Sequence, residues 1–143
     1  MAEILIIDDD ELMLYTLSGM VTNMGHHAVC TKDLDGGLNE MRAGNFDVVF
    51  LDVRLPDGNG LDILPAIRKT ASFPEVIIMT GKGDPAGAEL AIESGAWDYL
   101  EKPASIEDMS LPLMRALQYR EEKNKEKSRV AVKREGIVGN SPS

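Results

Sequence analysis

The sequence holds one cysteine, Cys30, in 143 residues. That excludes an internal disulfide framework and a cysteine-built zinc site, and it fits a reducing, cytoplasmic compartment. Long hydrophobic runs are missing too. The longest, such as Ile4-Leu5-Ile6-Ile7 and Val48-Val49-Phe50-Leu51, are four residues, where a membrane span needs about 20. Met1-Ala2-Glu3 leads directly into the first of these runs and three aspartates, which is not the layout of a signal peptide. Basic residues are scarce, 15 against 24 acidic ones, for a net charge of −9. The imbalance is uneven: residues 1–119 hold 20 acidic and 8 basic residues, whereas residues 120–143 hold 4 acidic and 7 basic. So acidic a body is repelled by phosphate backbones, which argues against direct nucleic-acid contact. It suits cations or basic partner surfaces instead.

What is present is the composition of a globular protein, 43% hydrophobic and 27% charged, at the length of one ordinary domain. No internal repeat is visible. Five short apolar runs rich in β-branched residues, at 3–8, 27–31, 46–52, 75–80 and 97–101, alternate with helical patterns. Such alternation predicts an α/β fold, a parallel sheet with helices on both faces. Met13, Leu17, Met20, Val21 and Met24 mark one face of a first helix that Gly25 stops. A second helix, about 33–43, is weakened by Gly36 and Gly37, and a third runs from Gly60 to about Lys69. The fourth opens with Asp84 as cap and Pro85 in its first turn, and ends at Gly95. Ser105 and Asp108 form a capping-box-like pair for the fifth, which carries Ile106, Met109, Leu113, Ala116 and Leu117. Residues 118–129 are almost wholly polar and read as a solvated continuation of that helix. Residues 136–143 have the composition of a turn and the look of a cut end.

In an open α/β sheet, ligands sit beyond the carboxyl ends of the strands. Those ends carry Asp8-Asp9-Asp10, Asp52, Thr80 and Lys102-Pro103. Carboxylates about 4 Å apart repel by roughly 4 kcal/mol at an effective dielectric near 20, so they raise one another's pKa or bind a cation. Oxygen ligands alone favour a hard ion, magnesium before calcium. Each residue also has a plainer reading. Asp10 reads as the cap of the first helix, Thr80 as an ordinary strand-end hydroxyl, and Lys102 as a solvated charge. Gly81-Lys82-Gly83 lacks the spacing of a phosphate loop and reads as a turn. His26 and His27 read as surface residues, and Cys30 as a small core residue.

Taken together, these residues resemble the receiver domain of two-component response regulators over about residues 1–119. Asp8-Asp9 follow the first strand. Asp52 lies in Leu51-Asp52-Val53-Arg54-Leu55-Pro56-Asp57-Gly58-Asn59-Gly60, Thr80 stands at the switch position, and Gly95-Ala96-Trp97-Asp98-Tyr99-Leu100-Glu101-Lys102-Pro103 matches the fifth-strand signature. The resemblance implies a flavodoxin-like, CheY-like doubly wound sheet of order 2-1-3-4-5 with five helices. It implies phosphoryl transfer from a sensor histidine kinase to Asp52, with Mg2+ held by Asp8, Asp9, Asp52 and the Arg54 main-chain carbonyl. Lys102 would pair with the phosphoryl group, and Thr80 and Tyr99 would switch on phosphorylation. Arg54 and Lys82 would line the pocket mouth. Beyond self-phosphorylation and slow autodephosphorylation, no enzymatic turnover is implied.

The tail, Arg134-Glu135-Gly136-Ile137-Val138-Gly139-Asn140-Ser141-Pro142, resembles the opening of the AAA+ domain of sigma-54-dependent activators of the NtrC class. The expected organisation is therefore a receiver at 1–119, followed at 120–143 by a charged helical linker and the first residues of a truncated AAA+ domain. AAA+ and DNA-binding domains would follow in the parent protein. A homodimer through the fourth helix, fifth helix and linker is the expected output, although Arg120 and Lys127 interrupt the apolar seam. Two rival readings are a free-standing receiver acting by protein binding and a magnesium-dependent aspartyl-phosphate hydrolase. The hydrolase reading rests on the D-x-D within Asp8-Asp9-Asp10 but lacks the threonine that should follow and room for a cap domain.

Overall fold

The computed structural model describes residues 1–81, 85–102 and 104–140. Five parallel strands, β1 (Glu3–Ile7), β2 (His27–Thr31), β3 (Val48–Asp52), β4 (Glu75–Gly81) and β5 (Asp98–Lys102), form one sheet of order β2-β1-β3-β4-β5. The strand order and alternation expected from the sequence are thus present, with ends shifted by one or two residues. The helices are α1 (Glu11–Asn23), α2 (Leu34–Ala43), α3 (Leu64–Arg68), α4 (Pro85–Glu93) and α5 (Ile106–Asn140).

Side chains alternate across a strand, so the central strands feed two cores. Ile4, Ile6, Val48, Phe50, Ile77 and Met79 pack against Met13, Leu17, Met20 and Val21 of α1 and Met109, Leu113 and Ala116 of α5. Leu5, Ile7, Val49, Leu51, Val76 and Ile78 pack against α2, α3 and α4 through Leu34, Met41, Leu64, Ile67 and Ala91. Strands buried on both faces explain the near-continuous apolar runs. Each fully buried side chain of this size contributes roughly 1.5–3 kcal/mol.

Several local expectations change. Pro65 has no N–H to give to Leu61, so the third helix opens as a 3-10 turn, Gly60–Ile63, and becomes α-helical only at Leu64. The two glycines of α2 do not break it. Asp33 caps it through Gly36 N at 2.7 Å, and Asp57 accepts from Leu34 N and Asp35 N at 2.9 and 3.0 Å. Gly37 lets the helix sit against Ile7, whose Cγ1 would lie 3.1 Å from an added Cβ. Cys30 is exposed rather than in the core, because β2 is an edge strand. His27 is exposed and bonded to Glu3, and His26 accepts the Ala2 amide.

Asp108 N donates to Ser105 Oγ at 3.1 Å, as the capping pair requires. From there α5 runs on to Asn140, through the segment whose composition predicted a turn. Gly136 and Gly139 cost helix stability of about 1 kcal/mol each but do not block propagation, and no proline interrupts between Leu113 and Asn140. The proposed cap Asp84 lies outside the described residues, as do Lys82, Pro103 and the last three residues of the chain. No helix among the described residues is long and apolar enough to cross a membrane.

Candidate functional site

Parallel strands all end on the same edge, and that edge gathers the predicted residues. Asp8 follows β1 and is fully buried; its amide donates to Thr31 O at 3.1 Å. Asp9 beside it is exposed. Asp10 turns away to cap α1, accepting from Leu12 N at 3.0 Å. Asp52 closes β3 with 6% exposure. Lys102 closes β5 and reaches back across the edge, its Nζ 2.7 Å from Asp8 Oδ2 and 3.1 Å from Asp52 Oδ2. The plainer reading of Lys102 as a solvated charge therefore does not hold.

Asp8, Asp9 and Asp52 each offer a carboxylate oxygen within 4.8 Å of the others. Asp8 Oδ2 is buried and has the Lys102 ammonium as its partner at 2.7 Å. Three carboxylates meet there with one ammonium among them, a set that fits a cation ligand. The donor set is oxygen only, as a hard divalent ion requires. Burial and the Asp8 charge raise the pKa of Asp52 to about 6, against the opposing pull of Lys102. Burial of Lys102 disfavours its charge, but Asp8 and Asp52 outweigh that and hold its ammonium above the usual lysine value. The site is therefore two buried carboxylates and one exposed, balanced by a single ammonium, with excess negative charge that a cation would relieve.

Two further residues complete the edge. Thr80, near the end of β4, is 2% exposed, and its hydroxyl donates to Leu100 O at 3.3 Å. Tyr99 stands on β5 at 44% exposure. Arg54 points its side chain to solvent while its amide donates to Asp52 Oδ1 at 3.3 Å. A hollow of about 330 Å³ opens beside Asp10 and Lys102, between α1 and the start of α5, lined by residues including Leu12, Met13 and Met109.

Gly60 is the residue whose role the sequence reading missed. The loop after Asp52 forms a two-stranded hairpin, Arg54–Leu55 against Gly58–Asn59, and returns Gly60 N to Val53 O at 2.8 Å. An added Cβ would collide with the Asp52 carbonyl oxygen and lie 3.1 Å from both the Asp52 carbonyl carbon and Leu51 Cγ. Asp57, in the same hairpin, caps α2. The fixed spacing from Asp52 to Gly60 contained both signals, but only as a string until the chain was folded back on itself.

Comparison with known proteins agrees with this geometry. Residues 4–113 match the response regulator receiver domain family. The chain is 32% identical over 116 residues to the DNA-binding transcriptional regulator NtrC of Azospirillum brasilense, covering 81% of this chain and 24% of that protein. The crystal structure of NtrX from Brucella abortus in complex with ADP superposes with a TM-score of 0.82 at 30% identity, over 88% of this chain and 29% of that one. The solution structure of the beryllofluoride-activated NtrC4 receiver domain dimer gives a TM-score of 0.78 at 33% identity, over 83% and 98%. The chain thus spans about a quarter of the length of its NtrC relative. Receiver domains are regulatory modules of two-component systems rather than classical enzymes, and they generally bind Mg2+ at an acidic pocket. With its parallel CheY-like sheet and that pocket at the carboxyl edge, this chain belongs to the response regulator receiver domain family, and NtrC-type and NtrX-type regulators are among its relatives.

Proposed function

We propose that the chain receives a phosphoryl group on Asp52 from the phosphohistidine of a sensor histidine kinase, and thereby regulates an attached sigma-54-dependent activator. The observation that carries this reading is the meeting of Asp8, Asp9 and Asp52 around one cation-sized space with Lys102 in contact with Asp52. An Asp52 carboxylate oxygen attacks phosphorus, the P–N bond to the kinase imidazole breaks, and the imidazole leaves with its electron pair and takes a proton. Phosphoryl transfer needs position and charge neutralisation more than covalent machinery. Asp8, Asp9, Asp52 and the Arg54 carbonyl would hold Mg2+, which when bound offsets the repulsion between carboxylate and phosphoryl oxygens. Lys102 exchanges its Asp52 contact for a phosphoryl oxygen as a point charge. The apolar hollow beside Asp10 and Lys102, with Leu12 exposed at its rim, offers the kinase a surface to dock on.

The placement of Thr80 and Tyr99 supports a readout through those two residues. The Thr80 hydroxyl is engaged with Leu100 O and Tyr99 is outside. Drawing the hydroxyl toward a phosphoryl oxygen frees the space that the Tyr99 ring then enters, and the surface of α4, β5 and α5 shifts its population. Of the apolar seam expected on α5, Met109, Leu113 and Ala116 are spent on the chain's own sheet, while Ile106 stays half-exposed. A dimer on this side uses instead the exposed Leu90 of α4, Tyr99 of β5, and Leu111 and Met114 of α5.

The test is incubation with magnesium and acetyl phosphate, read by intact-mass spectrometry. One phosphoryl group per chain, lost when the metal is chelated, is the expected result. No addition from either acetyl phosphate or a phosphorylated kinase would overturn the reading. Asp9→Asn, which removes the exposed carboxylate without disturbing the buried pair, is expected to weaken magnesium binding at least tenfold by titration calorimetry.

A further inference from the structure

The opposite edge of the sheet, away from Asp52, carries a second concentration of charge, built around one guanidinium. Arg120 lies on α5 two turns past Leu113, where the helix leaves the core, and its side chain is only 17% exposed. Nη1 donates to Phe73 O at 2.7 Å and to Glu75 Oε2 at 3.3 Å, Nη2 donates to Ser72 O at 3.1 Å, and Nε faces Asp47 Oδ1 at 3.4 Å. Glu75 opens β4. Asp47 immediately precedes β3, and its other oxygen accepts the Glu3 amide of β1 at 2.8 Å. A planar fork of fixed donors thus meets the amino ends of the central strands and the turn that enters β4, an arrangement lysine's point charge does not reproduce.

The acceptors are themselves held in an unusual conformation. Phe73 has φ of 47°, the one positive φ outside glycine among the described residues, and it precedes Pro74, a position that ordinarily drives the backbone extended. The residue is 63% exposed, so burial of the side chain does not compensate the strain. The Phe73 carbonyl presented to Arg120 is what the strained turn achieves. One residue earlier on the helix, Tyr119 stacks on Trp97 just before β5, with centroids 5.0 Å apart, and Lys123 Nζ sits 5.7 Å over the Tyr119 ring. Residues 119 and 120 therefore grip the body beside β3, β4 and β5, and the helix residues that follow them, 121–126, are exposed.

We infer that Arg120 is the anchor that fixes the direction in which α5 leaves the receiver, so that the segment beyond it moves with the sheet as one rigid arm rather than swinging from a hinge at Leu117. This position is one of the two charged residues, with Lys127, that interrupt the apolar seam read along the helix. The geometry turns it inward and makes it an intramolecular tie. The inference stands on the edge of the sheet remote from the phosphoacceptor and does not depend on phosphoryl transfer.

The experiment is a pair of spin labels at Lys69→Cys and Lys125→Cys in a Cys30→Ser background, diluted with unlabelled chain so that distances between copies do not contribute. Pulsed electron–electron resonance should give one narrow distance distribution, and Arg120→Met should at least double its width. Removing Arg120 alone leaves Glu75 buried without its partner, so Glu75→Gln/Arg120→Met is measured in parallel to keep the fold. Circular dichroism confirms that each variant compared is folded. A folded variant lacking Arg120 whose distribution keeps the wild-type width would overturn the proposal. Phosphoryl uptake at Asp52, assayed on the same samples, reports separately on the other edge.

Discussion

Asp52→Asn is expected to abolish phosphoryl uptake and, in metal-free buffer at neutral pH, to make the protein more stable. Both effects come from the same carboxylate. Asp52 is 6% exposed, faces Asp8, and shares one ammonium with it. Its pKa is raised from 3.8 to about 6. At about 1.4 kcal/mol per unit, holding the charged form in the fold costs on the order of 3 kcal/mol at pH 7. The sign fixes the pH window. A carboxyl whose folded pKa is raised gives its full stabilisation below about pH 4, where it is protonated in both folded and unfolded chains, and loses it as pH rises through 6. Asparagine mimics the protonated form at every pH. Wild type and variant should therefore melt together below about pH 4 and separate between pH 4 and 6, the variant higher by roughly 10 °C at pH 7. Magnesium should close much of the gap by raising the wild type alone, since a cation that binds only the folded state stabilises it by mass action. Thermal melts from pH 4 to 8, with and without magnesium, check this. A pH-independent gap, or uptake that survives the substitution, would contradict it.

How much of this was readable from the chain depends on how local the signal is. Strand-end residues are local: a run of apolar residues stops, a carboxylate follows, and a parallel topology brings every such end to one edge. Asp8, Asp9, Asp52, Thr80 and Lys102 were found that way. Arg120 was not, because its partners Asp47, Ser72, Phe73 and Glu75 lie 45 or more residues away and a heptad count sees only its neighbours on the helix. Cys30 was misplaced for a related reason. Its strand reads as apolar, but which strand lies at the sheet's edge is a property of strand order, not of composition. The pairing of Lys102 with Asp8 as well as Asp52 likewise needed the distance across the edge. Gly36 and Gly37 looked like flaws in α2 when scored by helix propensity. The intimate packing of Gly37 against Ile7 explains why one of them is there.

Gly60→Ala is expected to damage both stability and the site, while the same change at Gly19 does the reverse. At Gly60 the new methyl collides with the main-chain carbonyl oxygen of Asp52, which cannot rotate away as a flexible side chain would. Relief requires moving either the 3-10 turn or the end of β3. Either motion breaks the Gly60 N to Val53 O bond at 2.8 Å and displaces Asp52 from Lys102. Forcing volume into a packed backbone contact costs about 3 kcal/mol or more. A displacement of the reacting oxygen by about 1 Å costs on the order of 100-fold in rate. Urea denaturation should therefore show a midpoint well below wild type, and uptake from acetyl phosphate should slow far beyond what partial unfolding explains. Gly19 sits mid-way along α1 with open space around its missing Cβ. There alanine removes only backbone freedom from the unfolded chain and should stabilise by about 0.5–1 kcal/mol. If the two substitutions had similar effects, the contact between Gly60 and the Asp52 carbonyl would not be what holds the acceptor in place.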